Sequence, residues 1–117
     1  MSDLPVVPLR LDLYPFELWC IVDRVPVRCD APDYEAQAFT EAWRVGQTEI
    51  GDMMVSTVFL GIGGGRDGKP PRFESMILGG PGDYQERCDT WDEAEAMHVA
   101  AVAHARRWVA RAEGERS

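Results

Sequence analysis

Hydrophobic and polar positions alternate with a period that changes several times along this chain, and each change marks an element. From Phe16 to Val22 aromatic and β-branched residues predict a strand, Asp23-Arg24 a tight turn, and Val25 to Cys29 a second arm that Pro26 confines to an edge. At Tyr34 to Arg44 the spacing becomes helical, with Asp30 or Asp33 as cap and Ala36, Phe39, Ala42 and Trp43 on the apolar side. The period then returns to two. Val45 to Ile50, Met53 to Ile62 and Arg72 to Leu78 read as strands, the last two forming an antiparallel pair, and Tyr84 to Cys88 as a short further strand. Met53 to Ile62 is apolar on both faces, which predicts a central strand covered on both sides.

Thr90-Trp91-Asp92-Glu93 has the form of a capping box and opens the longest helical pattern, with acids in its first turn and Arg106, Arg107 and Arg111 near its end. Trp91, Ala94, His98, Val102, Ala105, Val109 and Ala112 share one stripe of it. The expectation is an α+β fold: a small antiparallel sheet packed against a long C-terminal helix and a shorter helix, in a single domain spanning residues 1–117. Residues 1–15, broken by Pro5, Pro8 and Pro15, read as an extended segment, and residues 113–117 as a frayed tail.

Charge narrows the function classes. With 117 residues and a net charge of −8, the chain lacks the basic surface that binding a nucleic-acid backbone requires, so no direct nucleic-acid contact is expected. No apolar run approaches the roughly 20 residues of a membrane span, and the start lacks the basic and apolar regions of a signal peptide, so a cytoplasmic location is expected. Cys20, Cys29 and Cys88 show neither paired-motif spacing nor a nearby histidine pair, and are read as reduced thiols with no metal or other cofactor.

Three stretches invite a chemical reading. Gly63 to Lys69 satisfies the opening of two phosphate-loop patterns, yet Pro70 stands where a hydroxyl would meet magnesium and Pro71 blocks the helix whose N-terminus would face the phosphates. What is left is a hairpin loop with Arg66 and Lys69 as candidate anion ligands. His98, on the stripe facing the sheet, and Glu74, an acid in a central-looking strand, form the candidate acid–base pair, against the alternative of a satisfied core histidine. The acidic stretch from Asp83 to Glu95 offers a negative face for a basic partner or is simply the solvated entry of a helix.

The strings Val55-Ser56-Thr57-Val58-Phe59-Leu60-Gly61, Pro70-Pro71, Phe73-Glu74-Ser75-Met76-Ile77-Leu78-Gly79-Gly80, Arg87, Thr90-Trp91-Asp92-Glu93-Ala94 and His98 resemble a family of small phage and prophage proteins with no assigned chemistry. The likeness covers about half the chain, Val45 to Val102. Where the family pattern carries Asp-His after its first strand, this chain has Gly63-Gly64, so of the constellation that this Asp-His pair, the strand Glu and the helical His would form in relatives only Glu74 and His98 stand here. The resemblance implies a bacterial host cell and an accessory role, leaning away from catalysis: binding a host protein, in one form inhibiting a bacterial defence system. A ligand-sequestering module built on the glycine loop and a degenerate hydrolase are the alternatives. Because one helix pair covers a single face of a small sheet, a homodimer is expected, with Phe59, Trp108 or Trp19 as anchors.

Overall fold

A computed structural model describes residues 17–61 and 69–116. The chain is α+β, as its periodicity implies. Strands β1 (Trp19–Val22) and β2 (Val25–Arg28) form a hairpin. Its two turn residues, Asp23 and Arg24, both take positive φ, at 50 and 66°, as the twist of a two-residue hairpin demands. Helix α1 (Ala31–Gln37) follows, capped by the Asp30 carboxylate, which accepts from the Asp33 backbone N–H at 3.0 Å.

The first helix ends well short of the expected Arg44. Gln37 ties its end to the hairpin: its amide donates to the Ile21 carbonyl, while its side-chain oxygen accepts from the Ile21 N–H and the Trp43 indole N–H. The backbone leaves helical geometry at Ala38, passes through Phe39 at a φ of 62°, and restarts as a single 3-10 turn at Glu41–Trp43, capped by Thr40. Phe39, expected on the apolar helix side, therefore points outward and is 87% exposed, whereas Trp43 remains in the core at 3%.

Strands β3 (Arg44–Ile50), β4 (Met53–Phe59), β5 (Phe73–Leu78) and β6 (Gln85–Cys88) form an antiparallel sheet in sequential order. Helix α2 (Trp91–Arg116) lies across one face. The Thr90 hydroxyl accepts from the Glu93 N–H and donates to the Glu93 carboxylate, so the capping box forms, and the helix runs through Glu113 to Arg116 where fraying was expected. Alanine makes the close approach: Ala94, Ala101 and Ala105 are fully buried.

Two apolar clusters lie between α2 and the sheet. One joins Leu18, Trp19, Cys20, Ile21, Ala31, Tyr34, Trp43, Phe59, Phe73 and Ala94. In it the rings of Trp43, Phe59, Phe73 and Trp91 follow one another at centroid separations of 5.3 to 6.0 Å, in the edge and tilted geometries that suit aromatic quadrupoles. Gly61, at a φ of 70°, lets Trp43 sit against the backbone, since a Cβ there would lie 2.1 Å from the indole. The second cluster holds Met53, Val55, Ile77, Ala101 and Ala105. Trp108 packs beside it on Gly80, where a Cβ would fall 2.5 Å from the ring. That seat accounts for Gly80, while its neighbour Gly79 takes a φ of 82° with the Asp52 carbonyl close by.

Candidate functional site

Between the two apolar clusters runs a polar layer centred on His98. Strand parity builds it: Thr48 on β3, Thr57 on β4 and Ser75 on β5 all face α2, and Thr57 is the direct cross-strand partner of Ser75. The Nε2 of His98 lies 2.8 Å from the Thr48 hydroxyl and the Nδ1 lies 2.7 Å from the Thr57 hydroxyl, which in turn lies 2.5 Å from the Ser75 hydroxyl. Two proton arrangements pair both ring nitrogens and both buried hydroxyls: Ser75 donates to Thr57, Thr57 to Nδ1 and the Nε2 N–H to Thr48, or every donor and acceptor role is reversed with the other tautomer.

The ring needs space as well as partners. At Gly46 a Cβ would stand 2.8 Å from the imidazole, and the shift of register between Arg44 and Gly46 turns the strand at this point, so a bulge and a missing side chain together make the seat. Burial lowers the His98 pKa below 6.5, and the ring is neutral at physiological pH.

Glu74 is not part of this layer. It pairs with Val58 on the face turned away from α2, where its carboxylate accepts from the Gln85 amide and from the Arg87 guanidinium at 3.0 Å. The expected approach of His98 to Glu74 is thus replaced by contacts with Thr48 and Thr57, because adjacent strand positions point to opposite sides and the sheet itself separates the two groups. With no carboxylate oriented against the imidazole, and with Thr57 and Ser75 at zero exposure, the hydroxyl chain has no room for a reacting atom. It is a satisfied core network.

The other candidates sort as cleanly. Lys69 is exposed beside Pro70, and Arg66 lies outside the described residues, as does the rest of the glycine loop from residue 62 to residue 68. Phe59 and Trp19, expected as contact anchors, are 1% and 7% exposed and spend their rings on the chain's own core. Trp108 is half-buried, held by Gly80 and by His104, whose ring is 4.6 Å away. No cluster of three or more His, Cys, Asp or Glu among the described residues could hold a metal ion. Cys20 and Cys29 line a cleft of about 430 Å3 between the hairpin and α1. Burial and the neighbouring Cys20 push the Cys29 thiol up to about 12, so it stays protonated and is a poor nucleophile. Of the acids from Asp83 to Glu95, Asp89 pairs with Arg72, Glu95 with Arg24, and Glu93 with its own cap.

What remains uncommitted is the second face of the sheet. Its cross-strand rows are Arg44, Val58, Glu74 and Arg87 at one end, Gln47, Ser56, Met76 and Gln85 in the middle, and Glu49, Met54 and Leu78 at the other end. Met76 and Leu78 are 37% and 49% exposed. No described element lies over these rows: the hairpin and α1 pack with Phe59 and Phe73, on the α2 side. At the Arg44 end, Phe39, Trp43, Arg44, Val58 and Leu60 border a groove of about 240 Å3. The alternating pattern of β4 and β5 showed this face, but Phe39 at its rim was invisible because its outward turn follows from the break at Ala38.

The chain matches no family model, no curated protein and no solved structure. Among the described residues no helix is long and apolar enough to cross a membrane.

Proposed function

We propose that this protein is a non-enzymatic accessory factor of phage or prophage type that acts by protein–protein contact, with a host protein as its target. The observation that carries this reading is the division of labour across the sheet. The groups with chemical potential, His98, Thr57 and Ser75, are paired with one another beneath α2, while Met54, Val58, Met76 and Leu78 form an apolar surface without a described cover. Contiguous exposed apolar surface on a small protein marks a contact site. An inhibitor of a bacterial defence component is the concrete form that the phage resemblance and the acidic charge favour.

The test is a complex rebuilt from purified partners. A host protein retained by the wild-type chain should bind the purified chain, lose at least about tenfold in affinity to Leu78→Asp, and bind His98→Gln unchanged. No rebuilt complex, or equal binding by Leu78→Asp, removes this reading. So does a turnover activity abolished by His98→Gln.

A further inference from the structure

The open face has a charge pattern that chooses its own occupant. Its Arg44 end carries two arginines against one glutamate, and its far end carries Glu49 alone, with amides and Met76 between. Among the described residues Arg44 pairs with Glu41 at 3.6 Å, whose own side chain is 90% exposed. Glu49 is exposed at the opposite end of the same strand. The face is therefore bipolar along the strand direction.

Resting on the reading of this face as a protein-contact surface, we propose that a second copy of the chain occupies it in the free protein, related by a two-fold axis perpendicular to the strands. That axis reverses the strand direction and lays β3 over β3, so Arg44 of each copy meets Glu49 of the other. It also places the middle row on itself, Gln47 on Gln47, Met76 on Met76 and Gln85 on Gln85, where amides can donate and accept reciprocally. A two-fold axis parallel to the strands fails. It lays β3 over β6 at the same end and sets Arg44 on Arg87. Stacked sheets keep their strands within roughly 30° of alignment, which the perpendicular axis satisfies.

The groove at the Arg44 end gives this arrangement its anchor. The row that arrives over it carries Met54 beside Glu49, an apolar side chain next to an acid, and the groove offers apolar walls next to Arg44. Phe39 stands at its rim, 87% exposed and at a φ of 62° that an L-residue adopts only at a cost. One edge of the ring meets Trp43, at a centroid distance of 5.6 Å, but the rest of it faces outward, and glycine would satisfy the backbone better. An aromatic ring held outward against its own backbone preference fits a contact residue.

Four strands and three rows make a small patch, roughly 15 Å across, so the dimer is expected at the weak end of specific association. Sedimentation equilibrium of the full chain over micromolar to sub-millimolar concentration tests it. The wild-type chain should dimerise. Arg44→Glu and Glu49→Arg should each weaken association by about tenfold or more, and the double variant, which exchanges the two ends, should recover to within about threefold of wild type. Phe39→Gly should weaken association while its melting temperature holds or rises, which separates loss of contact from loss of fold. A monomer at all concentrations overturns the proposal, whether the face is then covered by residues 1–16 or left open for a target. Dimerisation indifferent to the single charge reversals overturns it too. A monomer that still binds a host protein leaves the proposed function standing, whereas a charge-dependent dimer without a host complex does the reverse.

Discussion

On β4, Val55, Thr57 and Phe59 are at most 1% exposed beneath α2, whereas Met54, Ser56 and Val58, each one residue away, are only partly buried on a face that no described element covers. The two faces have similar composition at this strand: Met53, Val55 and Phe59 with one hydroxyl on the covered side, Met54 and Val58 with one hydroxyl on the other. Their fates differ because a single long helix, made narrow by Ala94, Ala101 and Ala105, comes down on one of them. Apolar content alone therefore does not distinguish a core from a contact surface. What distinguishes them here is what lies opposite.

The largest expected effect breaks the comparison at neighbouring positions. Phe59→Ala removes a ring that packs between Trp43 and Phe73 and should cost about 3–5 kcal/mol. Val58→Ala, next in sequence but on the open face, should cost far less in chemical denaturation. Equal losses at the two positions would show that both faces are core.

A smaller effect belongs to the polar layer. Thr57→Val keeps the shape of the side chain but deprives both Ser75 and the Nδ1 of His98 of their shared partner, and should destabilise the fold by about 1–3 kcal/mol. Ser75→Ala leaves the His98 contact intact and should cost less. The reverse order would mean that Ser75, rather than Thr57, organises the layer.

His98 also gives the covered face a pH signature. Its folded pKa is depressed, so between that value and the unfolded value of 6.5 the unfolded chain binds a proton that the native chain does not. Stability should accordingly fall as pH drops from 6.5 toward the depressed folded pKa, and this contribution should level off below it. Thermal melts across that window should show a shallower slope in His98→Gln. An unchanged slope would assign the pH dependence to other groups.

The smallest expected change in stability is at Leu78, half-exposed at the Glu49 end of the open face. Leu78→Ser should alter the unfolding free energy by no more than about 0.5 kcal/mol, as exposed substitutions do, while reducing association. A large loss would reveal a cover over the open face.

Local chemistry made much of the architecture legible. The two-residue turn at Asp23-Arg24 and the capping box at Thr90 and Glu93 depend on residues a few positions apart, and the antiparallel pairing of β4 with β5 on two alternating runs that follow one another in the chain, so each could be read before any packing was known. Strand parity likewise separated Thr57 and Ser75 from Val58 and Glu74. The His98 site was half legible: its helix stripe places the ring toward the sheet, and of the two readings the sequence offers, a pair with Glu74 or a satisfied core histidine, the structure gives the second, since Glu74 lies on the other side. Pairing an imidazole with an acid rather than with two threonines was a preference of chemistry, and the register of three strands overruled it.

By itself, then, the sequence determined the identity of the strands, the cap and alanine face of α2, and the two sets of side chains on the sheet, because periodicity and capping are properties of neighbouring residues. Only the tertiary structure decided which set would be covered, that Gly46 would open a seat for His98, and that α1 would stop at Gln37 because that side chain is held by Ile21 and Trp43. The outward turn of Phe39 follows from that last contact. Such outcomes depend on groups distant in the chain meeting at one place, which no local pattern contains.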